Sequence, residues 1–110
     1  MRIRSIVFAV WVVGSVANAA AAQDAKKGEL LFVEQKCTLC HSIAGKGNAK
    51  GPLDGVGAKL KADEIRAWLV DTKAMTAKTK AERKPEMKVY TLPNEDVDAL
   101  VAYVSTLKKK

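Results

Sequence analysis

Apolar side chains recur at helical spacing in three separate stretches of this 110-residue sequence. The first stretch predicts a helix from Ala25 to about Gln35, with Asp24 as its N-cap. The second stretch predicts a helix that begins at Ala62 or Asp63. Its apolar face carries Ile65, Trp68 and Leu69.

The third stretch, near the C-terminus, is the most regular of the three. Asn94 is placed to cap a helix there, and Glu95 and Asp96 suit its positive N-terminal end. The basic residues 108–110 suit its negative end. One face carries an apolar stripe flanked by Tyr103: Val97, Leu100, Val101, Val104 and Leu107. This pattern predicts an amphipathic helix.

The segments between these stretches show no strand pattern. Residues 44–52 contain too much glycine and proline for a regular element and are predicted to form a loop. Residues 71–88 are polar and rich in lysine. Because no segment alternates apolar and polar side chains with a period of two, the predicted fold class is all-α.

The N-terminal segment has the three parts of a secretory signal peptide. A short basic region precedes an apolar core at Ile6–Val16, and residues 17–22 are small residues of the kind that signal peptidase recognises. We expect cleavage after Ala22, which makes residues 1–22 the signal peptide and residues 23–110 the mature domain. The alternative is a retained membrane anchor, but the apolar stretch is short for that role and ends in alanine rather than leucine.

The mature chain, about 88 residues long, is enough for one small domain. Such a domain has a marginal core and often needs a staple. Removing Arg2 and Arg4 leaves 17 basic residues against 12 acidic ones, a net charge near +5. That charge suits docking on an acidic protein surface. It is too weak and too evenly mixed to favour nucleic acid.

Residues 37–41 form a C-x-x-C-H motif, with thiols at Cys37 and Cys40 followed directly by His41. Two thiols at this spacing can each form a thioether bond to one haem, and the histidine can then bind the iron. Covalent attachment of this kind follows export, so the motif and the signal peptide support each other. The sequence therefore predicts one covalently bound haem c.

His41 is the only histidine in the chain, which excludes a second histidine ligand from the same molecule. Methionine, lysine, tyrosine, asparagine, water or no ligand remain for the sixth position of the iron. After loss of Met1, the methionine candidates are Met75 and Met87. We favour Met87, which lies in an irregular loop ahead of the last helix, although packing is the ordinary role of either side chain. A thioether ligand would favour ferrous iron and raise the reduction potential.

Over essentially its whole mature length, the sequence resembles the class I cytochromes c, the small soluble monohaem proteins of bacteria. The matching residues are Gly28, Phe32, the motif at residues 37–41, Gly51-Pro52, Met87 and Ala102-Tyr103. The resemblance implies a cytochrome c fold of three to five helices wrapped around the haem. It also implies that the first and last helices cross where Gly28 lets Tyr103 pack close. Pro52 would present its carbonyl to the ring N–H of His41.

The segment after the glycine–proline pair departs from the usual pattern of this class. Relatives commonly have one residue between the proline and the leucine, whereas Pro52 is followed directly by Leu53. This departure leaves the exact path of the loop after Pro52 open. Trp68 either donates its indole N–H to a haem propionate or anchors the core. The residues expected to line the haem pocket are Leu53, Tyr90, Leu92 and Val101.

A run of basic side chains surrounds the proposed methionine ligand. Its members are Lys78, Lys80, Arg83, Lys84 and Lys88. Such a run is most often a solvated loop. A second interpretation is that it forms a docking surface for an acidic redox partner.

These features favour a periplasmic, monomeric one-electron carrier rather than an enzyme, because an iron with both axial positions filled has no site for a substrate. A haem enzyme or gas sensor would need a vacant or labile sixth position, and no distal histidine is present to serve it. A zinc module is a third alternative. Cys37, Cys40 and His41 would supply only three of the four ligands that structural zinc prefers.

Overall fold

The computed structural model describes residues 16–108, with side chains from Gln23 onward. The described chain is mainly helical, which confirms the all-α class. Its α-helices are α1 (Val16–Glu34), α2 (Val56–Lys59), α3 (Ala62–Val70), α4 (Thr72–Thr79) and α5 (Asn94–Ser105). A 3-10 turn (Cys37–Leu39) and an antiparallel ribbon of β1 (Ser42–Ile43) and β2 (Lys46–Gly47) lie between α1 and α2.

The start of α1 differs from the sequence prediction. The helix begins at Val16, so Asp24 lies inside it and the predicted N-cap was wrong. Alanines before Asp24 are the strongest helix formers and extend the helix toward the N-terminus. The proposed signal peptide lies mostly outside the described residues, and its cleavage stays a prediction. Within the described residues, no helix combines the length and hydropathy needed to cross a bilayer.

The core is built where α1 crosses α5. A Cβ added to Gly28 would overlap the Ala99 carbonyl and the Cβ of Tyr103, which confirms the predicted close approach at this glycine. The Phe32 and Tyr103 rings meet edge to face with centroids 5.8 Å apart. An ion pair of 3.1 Å joins Lys27 to Asp96 beside the crossing. The buried apolar residues are Leu31, Phe32, Ile65, Leu69, Val97, Ala99, Leu100 and Val101.

Helix α3 adds the third wall of this core. It buries Ile65 and Leu69, and an ion pair between Arg66 and Asp98 ties it to α5. The carboxylate of Glu64 accepts a hydrogen bond of 3.0 Å from the Lys61 N–H and so closes the first turn of α3. The predicted start of this helix at residue 62 is confirmed.

The ends of α5 are capped differently from the sequence prediction. Pro93 is the N-cap, and its carbonyl accepts the N–H groups of Asp96 and Val97 at 2.9 and 3.1 Å. Asn94 is the first helical residue and makes no side-chain cap, so that prediction was wrong. The helix ends at Ser105, which leaves Lys108 beyond its last turn. Lys109 and Lys110 lie outside the described residues.

Three short elements were not predicted, and each lacks the pattern that sequence analysis detects. The ribbon strands have two residues each, too few to show a period of two, and α2 has four residues. Helix α4 lies in the polar stretch and buries only Thr72. A helix with one buried residue has no apolar stripe for periodicity to reveal.

Replacing Gly28 by alanine should destabilise the purified protein even though alanine is the better helix former. Helix propensity alone would stabilise the variant by about 1 kcal/mol. The overlap with Ala99 and Tyr103 should instead give a net loss of about 1–3 kcal/mol. Thermal unfolding would show a drop of roughly 4–8 °C per kcal/mol. Lys26→Ala, on the exposed side of the same helix, is the control, and a Gly28→Ala variant more stable than wild type would contradict this packing.

Candidate functional site

One apolar cavity of about 530 Å³ lies between α1, α3, α5 and the irregular segments. This volume is within the range of about 300–1,000 Å³ typical of small-molecule and cofactor sites. Its apolar wall includes Phe32, Leu53, Val56, Leu60, Ile65, Leu69, Leu100 and Val104. Its functional lining includes Cys37, Cys40, His41, Trp68, Met87 and Tyr90. The structure therefore brings the sequence motif and one methionine to a single cavity.

The C-x-x-C-H motif is folded into a tight turn. The Cys37 carbonyl accepts the N–H groups of Cys40 and His41 at 3.1 and 2.9 Å. Both cysteines are half-buried free thiols. Burial raises the pKa of the Cys37 thiol. This turn is the local reason that both thiols and the imidazole line one cavity.

Asn48 forms hydrogen bonds to the backbone of this turn. Its role was not predicted from the sequence. Its backbone N–H lies 3.1 Å from the carbonyls of both Thr38 and His41. Its side-chain Nδ2 donates to the Leu39 carbonyl at 3.0 Å. These bonds go to backbone carbonyls, so no pairing of side-chain types could have signalled them.

The imidazole of His41 is fixed by a hydrogen bond of 3.0 Å between Nδ1 and the Gly51 carbonyl. A carbonyl can only accept, so Nδ1 carries the proton and Nε2 keeps a free lone pair. Burial lowers the pKa of His41, the bond to Gly51 opposes that effect, and the charge of Arg83 lowers the pKa further. The neutral ring is the form that binds a metal ion.

The acceptor for His41 is Gly51 rather than Pro52, so the predicted role of the Pro52 carbonyl was wrong. Pro52 forms a parallel bridge with Ser42, in which the Gly51 carbonyl accepts from Ser42 N–H and Leu53 N–H donates to the Ser42 carbonyl. Successive carbonyls in extended backbone face opposite sides, so the Gly51 carbonyl faces the motif and the Pro52 carbonyl does not. Pro52 is exposed, and Leu53 takes its place in the cavity wall.

The two methionines of the described residues lie in different places. Met87 is half-buried in the loop between α4 and α5 and lines the cavity. Met75 is half-buried on α4 and is not part of the cavity wall. Only Met87 can therefore present its thioether to a group held by Cys37, Cys40 and His41 without a rearrangement of α4.

The other predicted pocket residues divide into two groups. Leu53 and Tyr90 line the cavity. Leu92 and Val101 pack into the hydrophobic core instead, so their assignment to the pocket was wrong. The stripe of α5 turns Leu100 and Val104 to the cavity in place of Val101. Trp68 lines the cavity and is half-buried, which suits either of its predicted roles.

Tyr90 is a polar contact of the motif that the sequence did not reveal. Its hydroxyl lies close to the Cys37 thiol. Burial, with the proximity of Cys37, raises the pKa of Tyr90 to about 12. The ammonium of Lys88 lies 4.8 Å from the centroid of the Tyr90 ring. Tyr90 therefore links the motif to the basic segment near Met87.

The cavity border is predominantly positive. Its charged residues are Lys36, Arg83, Glu86 and Lys88. Lys84 forms an exposed ion pair of 3.1 Å with Glu86, while Lys78 and Lys80 are exposed away from the border. The predicted basic run thus contributes Arg83 and Lys88 to the border itself.

A zinc site is not supported by the arrangement of ligands. In the part of the chain that the structure describes, no three His, Cys, Asp or Glu side chains converge to hold a metal ion. The fit is to a larger group: two thiols, one imidazole with a free Nε2 and one thioether line an apolar cavity of suitable size. Those donors suit a covalently attached haem.

Comparison with known proteins gives a matching family model and two similar proteins. The family model described as cytochrome c matches residues 25–108. A protein named cytochrome c oxidase subunit 2, from Alkalihalophilus pseudofirmus, is 28% identical over 109 residues, covering 89% of this chain and 30% of that protein. Cytochrome c2 from Blastochloris viridis is 43% identical over 51 residues, covering 46% of this chain and 39% of that protein. The chain thus spans about a third of the length of these relatives, and no solved structure matches it.

Asn48→Ala should lower the thermal unfolding temperature of the exported protein, because the Leu39 carbonyl loses its donor. The expected loss is about 0.5–1.5 kcal/mol. Asn94→Ala is the matched control, since Asn94 makes no capping bond, and it should be neutral or slightly stabilising. Equal losses in both variants would contradict the assigned roles of the two asparagines.

Proposed function

This chain belongs to the cytochrome c family, and we propose that it is a soluble monohaem carrier that passes single electrons between redox partners in the periplasm. One observation carries the proposal. Two free thiols, an imidazole with its Nε2 available and one thioether line the same apolar cavity. This donor set can hold a haem covalently and bind its iron from both sides.

Each proposed ligand has a distinct role. The Cys37 and Cys40 thiols would hold the haem through thioether bonds, and His41 Nε2 and the Met87 sulfur would bind its iron. When bound, the haem supplies the reversible one-electron change of its iron. With both axial positions filled, no position is open for a substrate, so the protein acts as a carrier rather than as an enzyme.

The apolar wall and the His41 hydrogen bond tune this centre. Burial in an apolar cavity and a methionine ligand both belong to the factors that set a haem potential. The Gly51 carbonyl, by accepting from Nδ1, increases the basicity of the iron-binding nitrogen and fixes the plane of the ring. We expect little structural rearrangement between the ferrous and ferric states, because the His41 ring is held by a backbone carbonyl.

The partner is proposed to be an acidic protein surface that the monomer meets transiently. Lys36, Arg83 and Lys88 border the cavity, with Glu86 as the acidic residue among them. Trp68 is proposed to contact a haem propionate, and residues 1–22 are proposed to direct export to the periplasm. One similar protein is named as an oxidase subunit, so a terminal oxidase is the first acceptor to test.

The direct test uses protein exported with its haem attached and purified. A low-spin haem c spectrum with the weak methionine-to-iron band of the ferric state should be observed, with reversible one-electron titration. Electron delivery to a terminal oxidase should follow. A high-spin ferric spectrum would favour a ligand-binding sensor and contradict the carrier.

Met87→Ala should keep the covalent haem and open the sixth position of the iron. The methionine-to-iron band should disappear, external imidazole or cyanide should bind more tightly, and the reduction potential should fall. Met75→Ala is the matched control, because its side chain lies outside the cavity wall. It should keep the wild-type spectrum and potential. If Met75→Ala lost the methionine-to-iron band and Met87→Ala kept it, Met75 would be the ligand.

Charge reversal at Lys88 should slow electron transfer to an acidic acceptor several-fold at low salt. The reason is that attraction across an interface mainly accelerates encounter, and salt screens it over about 8 Å at physiological ionic strength. Lys84→Glu should act in the same direction. Stopped-flow rates over a range of salt concentrations measure the effect.

Lys26→Glu is the control for net charge, since Lys26 is exposed on α1 and does not border the cavity. All of these variants should keep the wild-type haem spectrum. A rate that changes neither with salt concentration nor with the charge of Lys88 would indicate an apolar docking patch. The basic run would then be only a solvated loop.

A further inference from the structure

The segment that carries Met87 has little regular structure of its own. Residues 80–93 connect α4 to α5 without a helix or strand. Its start is held to the end of α4 by the Ala81 N–H, which donates to the Thr76 carbonyl at 3.1 Å. A bond between an iron and a side chain in such a segment is only as persistent as the contacts that hold the backbone beside it.

Two polar contacts hold the backbone just after Met87, and both lead to the junction of α3 and α4. The Tyr90 N–H donates to the Leu69 carbonyl at 3.1 Å. The Lys88 carbonyl lies 3.3 Å from the hydroxyl of Thr72. Within the described chain, residues 82–89 make no other hydrogen bond to a helix. The residue next to Met87 is therefore tethered by one side chain.

Thr72 is fully buried, with 0% of its surface exposed, in a chain segment that is otherwise polar and solvated. Its hydroxyl faces three carbonyls: Trp68 at 2.7 Å, Lys88 at 3.3 Å and Leu69 at 3.4 Å. One hydroxyl proton serves these three acceptors, and the shortest distance is to the Trp68 carbonyl. The Trp68 and Leu69 carbonyls lie in the last turn of α3, whereas the Lys88 carbonyl belongs to the loop that carries Met87. Thr72 thus joins the end of a helix to the residue beside Met87.

We propose that Thr72 is a positioning residue that keeps Met87 at the sixth position of the haem iron by holding the Lys88 carbonyl against the α3–α4 junction. This inference rests on the proposed role of Met87 as an axial ligand. Loss of the hydroxyl removes a hydrogen-bond donor from the part-buried Lys88 carbonyl, which favours states in which the loop moves away. Those states leave the iron open to an external ligand.

The apparent affinity for imidazole gives the size of the expected effect. An external ligand such as imidazole binds only the fraction of molecules whose methionine has left the iron, so its apparent affinity reports that fraction. Because one hydroxyl proton serves three carbonyls, the bond to Lys88 is at the weak end of the ordinary range, and its loss changes such a fraction by about two- to fivefold. We therefore expect about two- to fivefold tighter imidazole binding to the ferric protein once the hydroxyl is removed.

The experiment compares Thr72→Val, Thr72→Ala and Thr72→Ser in the ferric holoprotein. Valine keeps the shape and removes the hydroxyl, alanine covers the case in which valine does not fold, and serine restores the hydroxyl. Imidazole is titrated while the methionine-to-iron band is followed, and the thermal midpoint of each variant is measured beside it. Thr79→Val is the matched control, because the Thr79 hydroxyl bonds only within α4, to the Met75 carbonyl at 2.8 Å.

The expected result is about two- to fivefold tighter imidazole binding in the variants without a hydroxyl, with wild-type binding in Thr72→Ser and Thr79→Val. Wild-type imidazole affinity in Thr72→Val or Thr72→Ala would overturn the proposal while leaving Met87 as the ligand. Tighter binding in Thr79→Val of the same size would also overturn it, since general loosening of α4 would then be the cause. Absence of the methionine band in the wild-type protein itself would overturn both this inference and the ligand assignment.

Discussion

The imidazole of His41 donates through Nδ1 to the Gly51 carbonyl, and this bond determines which ring nitrogen is available for a metal ion. The carbonyl is itself held in place, because it also accepts the Ser42 N–H in the bridge that flanks Pro52. Asn48 then binds the carbonyls of the motif from the other side. The iron-binding side of the molecule is thus organised by backbone hydrogen bonds in a segment that contains no long helix. The fixed His41 ring is the reference for the rest of the site. The cavity, the surrounding helices and the loop with Met87 contribute through their positions relative to it.

The helices supply what this segment cannot, which is an apolar enclosure. Gly28 lets α1 and α5 approach closely enough to form two walls, and α3 closes a third. A domain of this size has a marginal core that a bound cofactor would reinforce. The apolar cavity of about 530 Å³ between α1, α3 and α5 provides space for such a cofactor. Stability and electron transfer would then depend on the same group.

Much of this arrangement could be predicted from the sequence because its signals are local. The motif at residues 37–41 has a specific spacing, and the apolar stripe of α5 is a periodic pattern. Both can be read from the sequence without knowledge of the tertiary contacts. The acceptor for His41 was placed one residue too late, since the alternation of carbonyls depends on a bridge between distant segments. Helix α4 carries no apolar stripe, and the bonds of Asn48 go to backbone, so neither left a pattern to detect. The N-cap at Asp24 failed because favourable helix formers precede it.

Met87 is the proposed ligand that completes the coordination of a haem iron whose other ligand is His41. Nuclear magnetic resonance of the ferrous holoprotein, labelled with ¹³C only in the methionine methyl groups, measures this ligation. Residues 23–110 contain two such methyls, at Met75 and Met87, and assignment follows from replacing Met75 by leucine. A methyl group against the haem face is displaced far upfield by the ring current. We predict one strongly displaced methyl, from Met87, with the Met75 methyl at the ordinary position. An undisplaced Met87 methyl, or a displaced methyl from Met75, would show that Met87 is not the ligand.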